Sequence, residues 1–197
     1  MPITESSYKP KTLLKNGHIN TIYASLFRKV NLNNSFTRKR IETEDDDFLD
    51  IDFLKNENNK IAILCHGLEG SSSSKYIKGT SNLLSSNGYD IAAMNYRSCS
   101  GEINKQLKTY HSGQTDDLNS VINLVLPNYD EIYLIGFSLG GNIILKYIGD
   151  GIHKIHPKIK ATVGISVPVD LHGSSLELSK FKNSIYNKRF LKTLTKK

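Results

Sequence analysis

The chain has no tryptophan, two cysteines, two methionines and five prolines in 197 residues. Cys65 and Cys99 close at most one disulfide, and a chain long enough to build its own core has no need of one. A disulfide scaffold is therefore excluded, and a reducing cytoplasm is the simpler setting. The longest uninterrupted apolar run is Ile61 to Cys65, far short of the roughly 18 residues that a membrane-spanning helix takes. Residues 1–15 alternate polar and apolar side chains with no apolar segment before a small-residue cleavage site, so no secretory leader is expected there. No G-x-x-x-x-G-K-[ST] phosphate loop is present, and no internal repeat marks a solenoid or propeller. The histidines are scattered, and the acidic run Glu44 to Asp47 lacks the glycine and spaced ligands of a calcium loop. No metal and no cofactor are expected, and the acidic run reads as a solvated turn.

What is there is enough for one packed domain: 38% apolar residues, 14 glycines and a net charge of +7. The charge is unevenly placed. Residues 1–40 carry eight basic side chains against Glu5, residues 171–197 carry seven against Glu177, and residues 41–170 carry 11 against 17 acidic ones. A nucleic-acid binder concentrates cations on one face with aromatic or base-reading residues among them, whereas this central body is acidic, so nucleic acid is not an expected partner. Lysines on solvated terminal segments account for the basic ends, with weak contact to a membrane surface as the other option.

Along the chain, Ser35 to Thr43 and Phe48 to Leu54 read as a hairpin across the acidic turn. Lys60 to Cys65 is an apolar, β-branched run without alternation, as expected of a strand covered on both faces of a parallel sheet. Ser71 to Ser86 reads as a helix stopped by Asn87 and Gly88, and Tyr89 to Tyr96 as a second buried strand. Thr115 to Leu126 has an acidic first turn and Leu118, Val121, Ile122 and Val125 at helical spacing. Glu131 to Ile135 is a strand, Leu139 to Ile148 a helix, and Lys160 to Val167 a further strand. This alternation predicts an α/β fold with a mostly parallel sheet and flanking helices. After Pro168 the pattern turns helical and basic, with Leu178, Phe181, Ile185, Phe190 and Leu194 apolar.

The chemistry is carried by Gly136-Phe137-Ser138-Leu139-Gly140. A strand feeds directly into this G-x-S-x-G and a helix leaves from it, the setting of a nucleophile elbow. A serine in such a turn takes a strained backbone that lifts its hydroxyl clear of the sheet, and a side chain two positions away on either side would collide with the neighbouring strand or helix. Gly136 and Gly140 remove that collision. Oxyanion-hole donors for such an elbow come from the residue after the nucleophile, here Leu139, and from a loop following an inner strand, here Leu68 after His66-Gly67. His66 reads as a loop-ordering histidine, because the base in this arrangement follows the serine.

The runs CHGLEGSSSS (65–74), NYRSCSGEINKQLKTYHSGQTDDL (95–118), IGFSLGGNIILKY (135–147) and SVPVDLHGSS (166–175), with NGHINTI from Asn16 and YNKRFLKTL from Tyr186, resemble the YheT-like branch of the α/β-hydrolase family. Its members are described as esterases, with animal relatives described as lipases acting on acylglycerols or phospholipids. Two departures are small: Ser98 stands where glycine often follows the arginine, and Asn20 where glutamine is common. The resemblance implies an α/β-hydrolase fold and a chain of roughly 300 residues, with the catalytic acid and histidine on loops after two later strands. Residues 1–170 would be the N-terminal part of the core and residues 171–197 the beginning of a cap, with the last strands missing.

After Ser138 the acids are Asp150, Asp170 and Glu177 and the histidines His153, His156 and His172. Asp170 and His172 share one short loop, whereas a triad needs its histidine to bridge acid and serine from a separate loop. The triad therefore reads as incomplete, a truncated product as the simpler account, and this chain alone as inactive. Lys160 to Val167 would be an unpaired hydrophobic edge. The expected function is a serine hydrolase of small-molecule or lipid-like carboxylic esters, of carboxylesterase or acylglycerol-lipase type. The alternatives are a non-catalytic scaffold acting as a binding module, or an acyltransferase.

Overall fold

A computed structural model describes residues 3–195. Six strands form one sheet in the order β1-β2-β4-β3-β5-β6: β1 Thr37–Glu42, β2 Phe48–Leu54, β3 Lys60–Cys65, β4 Asp90–Asn95, β5 Glu131–Phe137 and β6 Ile159–Ile165. β1 to β2 and β2 to β4 are antiparallel, and β4 to β3, β3 to β5 and β5 to β6 are parallel. The helices are α1 Gly17–Leu26, α2 Lys75–Ser85, α3 Asp116–Val125, α4 Leu139–Gly149, α5 Leu171–Ser179 and α6 Ser184–Leu194. Among the described residues no helix is long and apolar enough to cross a membrane.

The core follows from two-residue alternation on strands with cover on both sides. Ile61, Ile63 and Cys65 of β3 join Met94, Leu134 and the helical stripe Leu118, Val121, Ile122 and Val125, with Ile143, Ile144 and Tyr147 of α4. Ala62 and Leu64 point the other way, into a smaller cluster with Ile77 of α2, Ile91 and Ala93. Each fully buried aliphatic side chain stabilises the fold by about 1.5–3 kcal/mol. Beyond β5 the cover thins. Among the described residues no strand pairs on the outer side of β6, and Val163 and Ile165 are 48% and 38% exposed.

Several expectations are corrected. The turn Glu44 to Asp47 is not simply solvated: Asp47 is 1% exposed and Asp45 partly covered, because both carboxylates face the guanidinium of Arg97 at 3.3 and 2.7 Å. α2 starts at Lys75 rather than Ser71. Residues 71–74 form a turn closed by Ser74 N–H to Ser71 C=O (3.0 Å), and the Ser72 hydroxyl donates to Asp52 at 2.5 Å, tying this turn to β2 instead of to a helix. β6 ends at Ile165 because Ser166 turns to φ 53°. α1, which the sequence reading did not anticipate, is capped by the Asn16 side chain accepting from His18 and Ile19 N–H groups; an asparagine ahead of a helical segment was the available signal.

Candidate active site

β3 and β5 are parallel neighbours with Cys65 opposite Gly136. That register sets the segments leaving both strands, 66–70 and 137–139, side by side at the carboxyl end of the sheet, where ligands of open α/β sheets bind. Ser138 sits between β5 and α4 at φ 51° and ψ −117°, exposed, in a backbone conformation that L-residues avoid. Surrounding contacts hold it there. The Ser138 N–H donates to the Ile165 carbonyl at 2.9 Å, and its own carbonyl accepts from Asn142 N–H at 3.2 Å. A Cβ on Gly140 would stand 2.6 Å from the His66 carbonyl, and one on Gly136 2.6 Å from the Gly141 nitrogen. Both glycines are thus required by close backbone approach.

On the other side, a Cβ at Gly67 would lie 3.3 Å from the Ser138 Cβ, so the loop carrying Leu68 passes directly beside the serine. Among the described residues, neither the Leu68 N–H nor the Leu139 N–H, the latter in the first turn of α4, donates to a protein acceptor. Ser138, Leu68, Leu139, Gly136 and Gly140 therefore converge in space. A strained, exposed hydroxyl beside two unengaged backbone donors is an arrangement suited to covalent attack on a carbonyl and to holding the oxygen that becomes negative.

Groups that sequence reasoning left unassigned hold the Leu68 loop in place. The Tyr76 hydroxyl accepts from Gly67 N–H at 3.0 Å. The Tyr110 hydroxyl accepts from Glu69 N–H at 3.0 Å and donates to the Glu69 carboxylate at 2.6 Å. His66 is fully buried; its Nε2 accepts from Tyr96 N–H at 3.3 Å, so its Nδ1 carries the proton and donates to the Gly67 carbonyl at 2.7 Å. Both ring nitrogens being engaged, His66 orders its loop and has no lone pair left to act as a base. Its ring meets Tyr96 edge-on at 4.4 Å, and Tyr96 stacks on Tyr110 at 5.1 Å. Burial pushes the neighbouring Cys65 thiol up to about 12, so this cysteine is an inert core side chain.

After β4, Arg97 is 2% exposed and makes a bidentate pair with Asp117 at 2.9 Å, besides its contacts with Asp45 and Asp47. Its guanidinium holds the Asp45 carboxyl down to about 2, assisted by the Thr43 hydroxyl. For Asp47, burial pushes the carboxyl up, and that effect is outweighed by donors from Lys105, Asn104, Gln106 and Phe48, which leave it lowered. Ser98 has φ 60° and is held by reciprocal bonds with Asn104, whose Oδ1 accepts from Ser98 N–H at 2.6 Å and whose N–H donates to the Ser98 hydroxyl at 3.1 Å. Its left-handed backbone is one that glycine adopts freely, and those two bonds hold serine in it.

Five of the six acids and histidines after Ser138 have other partners, and His172 is exposed. Asp150 pairs with Lys146 at 2.9 Å, Glu177 with Lys180 and Lys182, and Asp170 caps α5 by accepting Gly173 N–H at 2.8 Å. His153 meets the Thr115 hydroxyl at 3.0 Å and stacks on Tyr147, His156 accepts from Lys158 N–H at 3.2 Å, and His172 is exposed on α5. His111, ahead of the serine, accepts from Gly113 N–H at 3.1 Å and orders its own loop.

Comparison with known proteins agrees with this architecture. YheT of Escherichia coli (strain K12), which carries an esterase name, is 28% identical over 97% of this chain and 57% of its own length. Phospholipase ABHD3 of Bos taurus is 30% identical over 80% of this chain and 41% of its own. The chain spans about half the length of the curated relatives it matches. Among solved structures, an esterase from Pyrococcus furiosus superposes with a TM-score of 0.62 at 21% identity, covering 78% of this chain and 62% of that one. The family model described as the alpha/beta hydrolase fold matches residues 62–191, from β3 through the elbow to α6, and this chain belongs to the α/β-hydrolase family.

Proposed function

We propose that the protein is a serine hydrolase of carboxylic esters, of the small-molecule or lipid-like kind, with Ser138 as nucleophile. The observation that carries this reading is the strained, exposed Ser138 placed against the Gly67-Leu68 loop. The names of its relatives, an esterase name, a phospholipase and a monoacylglycerol lipase, support the same substrate class.

In the proposed reaction the Ser138 Oγ attacks the acyl carbonyl carbon as its proton passes to a histidine. The carbonyl oxygen becomes an oxyanion held by the Leu68 and Leu139 N–H groups. Collapse of that adduct expels the alcohol, which takes the proton back from the histidine, and water then releases the acid by the same route reversed. Asp150, Asp170, Glu177, His153 and His156 are engaged as described above, and His172 lies two residues from Asp170 on one short segment, so base and acid are assigned to the later part of the family fold. Residues 171–197 are read as the beginning of its cap. Turnover by the 197-residue chain alone is expected to be negligible.

A fluorophosphonate probe tests the nucleophile. Labelling of the full-length protein at Ser138, lost in Ser138→Ala, is the expected result; absence of labelling at saturating probe removes the assignment. Transfer of the acyl group to an alcohol other than water uses the same residues and is separated by product analysis. A second reading, a binding module without catalysis, is favoured by one feature, the open edge and exposed Val163 and Ile165 of β6. A soluble 197-residue product that binds a partner stoichiometrically and stays unlabelled would support it.

A further inference from the structure

The run 95–118 carries much of the family resemblance yet no reacting group. Between β4 and α3 it passes through residues 96–115 without a helix or strand, and a loop of that length inside a packed domain usually serves function. Buried bonds fix its path. Arg97 pairs with Asp117 at 2.9 Å at one end, and Asp47 accepts from the Asn104 amide at 2.8 Å and from the Lys105 and Gln106 N–H groups at 3.0 and 3.3 Å further on. The path returns Tyr110 to the carboxyl end of the sheet. There it is 7% exposed, with its ring stacked on Tyr96 at 5.1 Å and edge-on to His66 at 6.5 Å. Its hydroxyl grips one residue twice, accepting from Glu69 N–H at 3.0 Å and donating to the Glu69 carboxylate at 2.6 Å. Burial first, and then Cys99 and Glu69, push this hydroxyl up, so it stays protonated and remains a donor.

Glu69 is a residue that needs holding. The Gly67 carbonyl accepts from Gly70 N–H at 3.0 Å, closing a turn with Leu68 and Glu69 at its centre, and Glu69 takes φ 56° while Leu68 does not enter positive φ. That is the pattern of a type II turn, whose third position is normally glycine. A type I turn spans the same four residues with no positive φ, and the two differ by turning over the central peptide. The Glu69 N–H belongs to that peptide, so Tyr110 holds the group that would turn. On its other side the loop is less supported: Leu68, Glu69 and Gly70 border a cleft of about 460 Å³ between α1 and α6, which meet at His18 Nδ1 and the Tyr186 hydroxyl, 2.9 Å apart.

We propose that Tyr110 is the positioning residue of the oxyanion hole: by holding Glu69 left-handed it keeps the Leu68 N–H beside Ser138. This rests on the ester-hydrolase reading above. Tyr110 acts through Glu69 and not on the substrate. The other donor needs no such hold, because Leu139 N–H is fixed by the first turn of α4. The buried anchors of the 96–115 loop then have a use beyond stability, since they deliver one hydroxyl to a residue 41 positions earlier in the chain. Preorganised donors stabilise developing charge because they do not have to reorient as the reaction proceeds, so a loop free to turn over loses rate even where its residues are intact.

The test is the rate of fluorophosphonate labelling of the full-length protein over a range of probe concentrations, which separates the limiting rate at Ser138 from the half-saturating concentration. Attack on phosphorus also builds negative charge on an oxygen that the hole holds, so the limiting rate reads donor position. Tyr110→Phe removes the hydroxyl and keeps the ring on Tyr96, with circular dichroism checking the fold. Tyr129→Phe is the control: Tyr129 is 6% exposed and donates to Asp90 at 2.9 Å at the amino end of β4, so it loses an equally buried hydroxyl away from the site. Loss of an oxyanion donor costs about 10²- to 10³-fold, so displacing one of two in Tyr110→Phe is expected to lower the limiting rate at least about tenfold. The half-saturating concentration stays within about twofold. Adding Glu69→Gly to Tyr110→Phe is expected to recover most of the loss, because glycine holds φ 56° unaided. An unchanged limiting rate in Tyr110→Phe, an equal loss in Tyr129→Phe, or no recovery with Glu69→Gly overturns the positioning role and leaves the hydrolase reading standing. Where Tyr110→Phe does not fold, Glu69→Ala, which removes the carboxylate alone, must lower the limiting rate or the role is overturned. Wild-type protein that stays unlabelled at saturating probe overturns the hydrolase reading and the positioning role with it.

Discussion

Replacing Arg97 with methionine removes a charge that three carboxylates share. Arg97 and Asp47 are 2% and 1% exposed, Asp117 is 4% exposed, and Asp45 sits at the rim. Methionine keeps much of the apolar stem but leaves Asp47 and Asp117 without the cation that compensates them. Breaking a buried pair on one side costs about 3–5 kcal/mol, far more than the pair itself contributes over an apolar replacement of both partners. Domains of this kind have only about 5–15 kcal/mol in total, so the variant should lose about a fifth or more of its stability at neutral pH. The pH dependence has a definite sign. Asp45 is held down to about 2 chiefly by Arg97, against 3.8 ordinarily. A depressed carboxyl contributes stability that is fully present above its unfolded value and lost as pH falls through the folded one. The difference between wild type and Arg97→Met should therefore be full at pH 7 and shrink between about pH 4 and pH 2. Urea unfolding followed by circular dichroism at pH 7 and pH 3.5 gives both quantities, with the slope against urea confirming an unchanged unfolding transition. A loss below about 1 kcal/mol at pH 7, or a gap that does not narrow at pH 3.5, would refute the claim that this cluster is an interdependent buried network.

Other expectations concern the site. Ser138→Gly should abolish labelling yet raise stability by roughly 1 kcal/mol in thermal melts, because glycine adopts φ 51° without the penalty serine carries; a loss of stability would show that the elbow is not strained. Gly140→Ala forces a Cβ to 2.6 Å from the His66 carbonyl, a backbone atom that cannot swing aside, and should cost about 1–3 kcal/mol and the labelling together. A normally labelled Gly140→Ala protein would contradict the packing described. Cys65 should resist a disulfide-exchange reagent until the chain unfolds, since its thiol is fully buried and pushed up to about 12, whereas the half-buried Cys99 reacts first. Two thiols titrating equally fast in the native protein would count against the buried register of β3.

Much of the frame is legible because periodicity reports burial. Lys60 to Cys65 and Tyr89 to Tyr96, with the apolar runs Ile61 to Cys65 and Ile91 to Met94 inside them, read as strands covered on both faces, and the observed β3 and β4 lie in the interior of the sheet. The hairpin across residues 43–47 follows from two strand patterns separated by a turn. What the turn does was not legible, because Arg97 lies about fifty positions away and only the fold brings it to Asp45 and Asp47. α1 was missed for a related reason: its apolar residues are largely exposed, with Ile19, Tyr23 and Leu26 between 47% and 62%, so it carries no clear stripe facing a core.

The sequence by itself determined that the chain is α/β and that a strand-turn-helix presents Ser138 between Gly136 and Gly140. These are properties of neighbouring residues, governed by steric exclusion and by the spacing of apolar side chains. Only the tertiary structure decided that the Cys65 to Gly136 register sets the Leu68 loop beside Ser138, that both nitrogens of His66 are taken, and that α1 and α6 enclose a cleft on that loop. Those facts depend on contacts between residues tens to well over a hundred positions apart, and such contacts exist only once the sheet has closed its hydrogen-bond ladder and brought the ends of the chain together.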